Sequence, residues 1–164
     1  MKKLPKTINI TLKIWRQQKP ESKGRFEMIP VKNVSGHMSC IELVDSVIEQ
    51  LTLEGRDPLA FDNDCREGIC GACGALVDGR AHGPEKATTL CQLHMRKFSD
   101  GDTIVVEPFR ARAFEVVKDL VVDRSTLDKI IQAGGYISVN TGGSADANDL
   151  PIGQEMADKA MDAA

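Results

Sequence analysis

Three of the five cysteines in this chain lie within nine residues, at Cys65, Cys70 and Cys73, and Cys91 follows after a gap of seventeen. Cys-x4-Cys-x2-Cys with a distant fourth thiol is the spacing of a [2Fe–2S] site. The chemistry accounts for the pattern. Two irons bridged by two sulfides each need two further thiolates in a tetrahedral array. A tight loop can deliver three of them, and the fourth must arrive from elsewhere. Gly68, Gly71 and Gly74 allow the backbone to pass close to such a centre and to turn amide donors toward its sulfurs. Those hydrogen bonds stabilise the negative cluster and tune its potential. A structural zinc could use the same four thiolates, but zinc ribbons and fingers usually show two separated pairs of close cysteines. One triplet and one singleton favour the cluster. Cys65, Cys70, Cys73 and Cys91 are therefore the expected cofactor and metal ligands.

The other candidates carry less. Cys40 lies outside the loop, at the start of an expected helix, where a buried free thiol is the usual outcome. His94 follows Cys91 at Cys-x2-His, half of a Rieske-like pattern whose other half is missing. It reads as a surface group or one behind the ligands. His37 and His82 sit in no motif. No Ser/His/Asp triad, phosphate loop or paired carboxylates stand out, so no catalytic residue is expected in the chain itself.

Composition narrows the class. A formal charge of −3, a pI near 5.6 and 4% aromatic residues leave neither a basic footprint nor stacking platforms for nucleic acid. No apolar run approaches a membrane span, and the basic start Met1-Lys2-Lys3 has no apolar stretch behind it, so neither a signal peptide nor an anchor is expected. Clustered thiols in a reducing compartment read as metal ligands more readily than as disulfides.

The loop needs a scaffold. Residues 8–15 alternate strictly, with Ile8, Ile10, Leu12 and Ile14 on one side, which predicts a half-buried strand. A polar turn over 17–24 leads to a second alternating run in which Phe26 and Met28 face one way and Arg25 and Glu27 the other, giving a hairpin. Ser39-Cys40-Ile41-Glu42 is a capping box with Met38 and Leu43 as its staple, and Gly55 is a stop. A helix is expected over 39–53. The segment 57–74 has turn residues and no period. Asp78-Gly79 predicts a tight hairpin turn, and Ile104-Val105-Val106 a short buried strand after the turn at 99–102. This order predicts an α+β β-grasp domain over 1–108. Residues 109–164 are expected to form a helical segment with a polar loop at 138–149: helices over Phe114–Val122, over Ser125–Ala133 with Ser125 as cap and Gly134-Gly135 as terminator, and from Gln154 to Ala164.

Asp64-Cys65-Arg66-Glu67-Gly68-Ile69-Cys70-Gly71-Ala72-Cys73 resembles the plant-type ferredoxin loop in the iron–sulfur subunit of succinate dehydrogenases and fumarate reductases. Ala87-Thr88-Thr89-Leu90-Cys91-Gln92-Leu93 is similar to the fourth-ligand segment of that family's bacterial branch. Lys118-Asp119-Leu120-Val121-Val122-Asp123-Arg124 resembles the helix that follows the ferredoxin domain. The resemblance runs from about Ile8 to the last residue. It implies an electron-transfer subunit between a flavoprotein carrying FAD and a membrane anchor, a cytochrome b, that handles quinone, on the cytoplasmic side of the inner membrane. It also implies a [2Fe–2S] cluster whose potential lies above the about −400 mV of plant-type ferredoxins. Family members carry a [3Fe–4S] and a [4Fe–4S] cluster in a C-terminal helical domain. No cysteine follows Cys91 here, and Met161-Asp162-Ala163-Ala164 resembles the run just before those motifs, so a chain truncated at that point is expected.

Two alternatives stand beside this one. Glu67 to Cys73 and Val77-Asp78-Gly79 are also similar to the small subunit of molybdenum hydroxylases, but that family expects four more cysteines and a shorter gap before the fourth ligand. A stand-alone ferredoxin would have no need of the helical tail.

Overall fold

The structure is a computed structural model that describes residues 7–109, 113–133 and 153–163. Its first strand, β1 (Thr7–Arg16), buries every second side chain, Ile8, Ile10, Leu12 and Ile14, as strict alternation requires. It turns back into β2 (Arg25–Ser35), pairing antiparallel from Arg16↔Arg25 to Thr7↔Ser35. Ile29 and Val34 are the inward residues of β2. Phe26 and Met28 lie on the opposite face, where Phe26 meets the Trp15 ring edge-on at 5.2 Å and Met28 is 53% exposed.

Helix α1 (Cys40–Leu53) begins at the expected capping box: Ser39 Oγ accepts from the Glu42 amide, and the Glu42 carboxylate accepts from the Ser39 amide at 2.7 Å. Its end is a Schellman turn. Gly55, at φ +67, donates to Thr52 O, and Arg56 donates to Leu51 O. Ile41, Leu43, Val44, Val47 and Leu51 form the buried stripe, and with the inner faces of β1 and β2 they build the core.

The pair β3 (Leu76–Val77) and β4 (Arg80–Ala81) is closed by Asp78 and Gly79, at φ 50 and 74, the two positive values of a type I′ turn. Strand β5 (Thr103–Glu107) completes a five-stranded sheet in the order β2-β1-β5-β3-β4. It runs parallel to β1, from Thr11↔Thr103 to Ile14↔Val106, and antiparallel to β3. Three antiparallel pairings and one parallel pairing, with α1 across one face, make the α+β, ferredoxin-like architecture expected from the sequence.

The helix expected over 114–122 does not form. Residues 114–122, read as a helix, instead contain the hairpin β6 (Val116–Lys118) and β7 (Val121–Val122). Asp119 turns it at φ 47 and is wholly buried. Its two carboxylate oxygens accept from the Gln17 amide at 2.9 Å and the Ala60 amide at 3.0 Å, and Arg16 Nε lies 3.4 Å away. The Asp119 amide donates to Gln17 O and that of Leu120 to Ala60 O. A helix would point these groups at its own backbone, and the four valines of 114–122 suit short strands better than a helix. The resemblance of Lys118–Arg124 to a helix fails for the same reason.

The chain divides into two compact units, Met1–Val122 and Asp123–Ala164. The first extends beyond 108 because the hairpin is tied into it. In the second, α2 (Ser125–Ala133) and α3 (Gln154–Ala163) fall where expected. The group accepting at the start of α2 is the Asp123 carboxylate, which takes the Ser125 amide at 2.8 Å as well as its hydroxyl, so Ser125 is a donor and not the cap. Gly134-Gly135 and the polar loop at 138–149 lie outside the described residues. Among the described residues, no helix is long and apolar enough to cross a membrane.

Candidate metal centre

The segment from Asp57 to Ala75 crosses without regular structure between α1 and β3, and it is pinned at intervals. Leu59 and Ala75 are buried anchors. The Asp57 carbonyl accepts from Arg16 Nη2 at 2.8 Å, and Ala60 is held by Asp119. Arg66 bonds Asp45 of α1 at 2.8 Å and Asn63 at 3.1 Å. Between these anchors the chain folds over on itself. Arg66, Gly68 and Gly71 take positive φ values of 58, 73 and 71. Gly74 lies so close to its neighbours that an added Cβ would come within 2.9 Å of Phe109 and 3.2 Å of His82.

This path turns backbone amides onto sulfur. Cys65 Sγ accepts from the amides of Glu67 at 3.3 Å and Cys70 at 3.4 Å. Cys70 Sγ accepts from the Ala72 amide at 3.4 Å. The amide of Gly68 reaches out of the loop to Cys91 Sγ at 3.2 Å, so the distant fourth cysteine and the triplet share one site. Cys91 arrives on a turn whose position is set by α1: the Cys40 and Ile41 amides donate to Leu93 O and Leu90 O. Leu90 and Leu93 are fully buried on either side of it.

Among the thiols, that of Cys70 acts on Cys65, and that of Cys91 acts on Cys73. Cys65 and Cys70 are half-buried; Cys73 and Cys91 are buried. Among the described residues, no three His, Cys, Asp or Glu side chains form a single-ion group. Donation from the Glu67 amide, then from those of Cys70 and Ile69, lowers the Cys65 thiol to about 7. Burial raises Cys73. Burial pushes Cys91 the same way, but donors at Thr89, Gln92, Cys73 and Gly68 outweigh it and hold that thiol down. Thiolates are the species that ligate iron, and amides aimed at sulfur are what a negatively charged cluster needs. This donor set fits a [2Fe–2S] group.

Cys40, by contrast, is fully buried at the first turn of α1, and burial pushes its thiol up to about 12. It is a core side chain. His94 is half-buried with Nδ1–H donating to Gln92 O at 2.9 Å. It borders a cleft of about 210 Å³ beside Cys91, along with Glu42, Arg66 and Gln92. Sequence reasoning passed over two side chains that touch the site. Thr89 Oγ1 lies 3.1 Å and Gln92 Nε2 3.7 Å from Cys91 Sγ. Their only signal was proximity to Cys91 in the chain.

Comparison with known proteins agrees with the geometry. Residues 11–129 match the family model described as a 2Fe-2S iron-sulfur cluster binding domain. The fumarate reductase iron-sulfur subunit of Wolinella succinogenes is 38% identical over 78 residues, covering 47% of this chain and 29% of that protein. Mitochondrial succinate dehydrogenase iron-sulfur subunit 3 of Arabidopsis thaliana is 31% identical over 109 residues, covering 66% of this chain and 31% of that protein. The chain thus spans less than a third of the length of these two relatives. A chain of the Mycobacterium smegmatis Sdh1 complex superposes with a TM-score of 0.65 at 23% identity, over 91% of this chain and 55% of that one, which is a likeness of fold. With its loop cysteines, mixed sheet and matched span taken together, the chain belongs to the 2Fe-2S iron–sulfur cluster binding domain family and its cofactor is a [2Fe–2S] cluster.

Proposed function

We propose that this chain is the electron-transfer part of a succinate:quinone oxidoreductase or fumarate reductase, with Cys65, Cys70, Cys73 and Cys91 as the cluster ligands. The observation that supports the ligand set best is the Gly68 amide donating to Cys91 Sγ at 3.2 Å, which brings the fourth thiol to the loop that carries the other three. One triplet joined by a single distant thiol is the arrangement of a plant-type [2Fe–2S] site, whereas zinc sites usually use two separated close pairs. When bound, the cluster supplies one-electron transfer. The chain's own contribution is to hold the four sulfurs in place, to aim backbone amides at those of Cys65, Cys70 and Cys91, and to shield the Cys73–Cys91 side from water. The half-buried Cys65–Cys70 side, beside the 84% exposed Ile69, is the edge through which a redox partner comes close.

The succinate or fumarate assignment rests on the two curated relatives, and the partners follow from it. They are a flavoprotein that passes electrons to or from the loop 65–73, and a membrane anchor with quinone that holds the complex at the cytoplasmic face of the inner membrane. Onward transfer would use the [3Fe–4S] and [4Fe–4S] clusters of such subunits.

The test begins with the chain purified without oxygen. Two irons and two labile sulfides, visible charge-transfer bands and a paramagnetic signal on reduction are expected. Alanine at any one of Cys65, Cys70, Cys73 or Cys91 should abolish that spectrum. Colourless protein holding stoichiometric zinc after reconstitution with iron and sulfide would sink the ligand set. The partner assignment is tested by adding the flavoprotein of a succinate dehydrogenase and then succinate. Bleaching of the cluster bands is expected, and a molybdopterin protein recovered as the native partner would overturn it.

A further inference from the structure

The four sulfurs differ in what donates to them. Those of Cys65 and Cys70 accept main-chain amides from within the loop. That of Cys91 accepts one amide, from Gly68, and two side chains, the Thr89 hydroxyl at 3.1 Å and the Gln92 carboxamide at 3.7 Å. We propose that Thr89 and Gln92 are positioning residues that raise the cluster's reduction potential by donating to the Cys91 sulfur. The inference rests on the reading of Cys91 as a ligand.

The geometry leaves Thr89 one role. A cluster-bound sulfur has no proton, so between Oγ1 and Sγ the hydroxyl must be the donor. Gln92 is held in its orientation by a second bond, from Nε2 to Arg66 O at 3.2 Å, which ties the cysteine loop to the segment carrying Cys91. Gly68 makes room for Gln92. A Cβ there would come within 2.9 Å of Gln92 Cγ, on a backbone at φ +73. The loop glycine that donates to Cys91 is thus also the one that lets the Gln92 side chain approach it.

Reduction adds one electron to the cluster and its thiolates and moves no proton from Thr89. The extra negative charge spreads onto the sulfurs, so a fixed donor stabilises the reduced form more than the oxidised one and the potential rises. Because these two donors are side chains, they can be removed without altering the backbone, unlike the amides at Cys65 and Cys70.

The experiment is a redox titration of the reconstituted full chain, followed by its paramagnetic signal, with iron and sulfide measured on every sample. Thr89→Val should shift the reduction equilibrium roughly three- to tenfold toward the oxidised form, tenfold being about 59 mV for one electron. Thr89→Ser should restore the wild-type value, Gln92→Leu should fall by less because its contact is longer, and Thr88→Val should change nothing. A fully loaded Thr89→Val at the wild-type potential, or an equal fall in Thr88→Val, overturns the proposal. Gln92 is exposed, so if Thr89→Val does not load, Gln92→Leu carries the test, and an unchanged potential there counts against it. Retention of the cluster in Cys91→Ala would instead overturn the ligand reading on which the inference stands.

Discussion

A thiol wholly removed from water keeps its proton, because the thiolate would have to be solvated by apolar side chains. Cys40 is in that position. The folded chain holds its proton up to about 12, while the unfolded chain releases it near the ordinary 9.0. The folded value is the raised one, so this group's contribution to stability is complete below pH 9.0 and declines as pH rises toward 12. Cys40→Ala should therefore flatten the alkaline side of the stability profile, seen as urea midpoints at pH 8 and 10 that lie closer together than in the wild type. It should leave the cluster spectrum intact and cost about 1 kcal/mol at neutral pH for the lost packing. Asp119 is also wholly buried, and its carboxylate oxygens are taken up by partners from distant segments. Asp119→Ala would orphan the Gln17 and Ala60 amides and strip Arg16 of a buried partner. A loss of about 3–5 kcal/mol in urea unfolding is expected. Asp119→Asn keeps one acceptor and the tolerance for positive φ, and should lose less.

At the scale of elements, α1 is specified at both ends by its own residues and fixes the site by its position. Its first turn holds Leu90 and Leu93 through the Ile41 and Cys40 amides, and so holds the turn that carries Cys91. Removing the cap with Ser39→Ala frees the Glu42 amide. It should cost about 1 kcal/mol, measured as a fall in the unfolding midpoint with little change in the cluster's bands. The hairpin β6–β7 works differently, since its two short strands bury little and depend on Asp119 for their anchorage. Asp119→Ala should accordingly raise amide exchange in the hairpin before it does so in β1.

For the first unit as a whole, the core between sheet and α1 is continuous with the floor of the site. Cys73, Cys91, Leu90 and Leu93 belong to the same buried cluster as Ile10, Leu12 and Val44. With the proposed ligands drawn from two separate segments, cluster binding free energy would also be folding free energy for the loop between them. Removing iron with a chelator under reducing conditions should lower the melting temperature. Hydrogen exchange should rise first over 65–74 and 87–93, while the amides of β1 and β5, held by ladder bonds, stay protected. Uniform loss of protection across the sheet would mean that the scaffold itself depends on the cluster.

The features legible in the amino-acid sequence were those whose causes lie within a few residues. The 65–70–73 spacing, the alternation of β1, the capping box at Ser39–Glu42 and the Asp78-Gly79 turn each carry their physics locally, and each element stands where its pattern put it. The helices that begin at Ser125 and Gln154 also stand where expected, although Asp123 and not Ser125 accepts at the start of the first. What tertiary structure alone decided is what depends on contact between distant segments. The four valines of 114–122 suit strands, but where the segment turns back is decided by burial of Asp119 against Gln17, Ala60 and Arg16. The parallel pairing of β1 with β5 has no turn to announce it, because a crossover separates the two strands. The spacing named Cys91 as the fourth thiol, but its donors could not be read from it. Gly68 lies 23 residues away in the chain, and Thr89 and Gln92 reach the sulfur only because α1 fixes the turn between them.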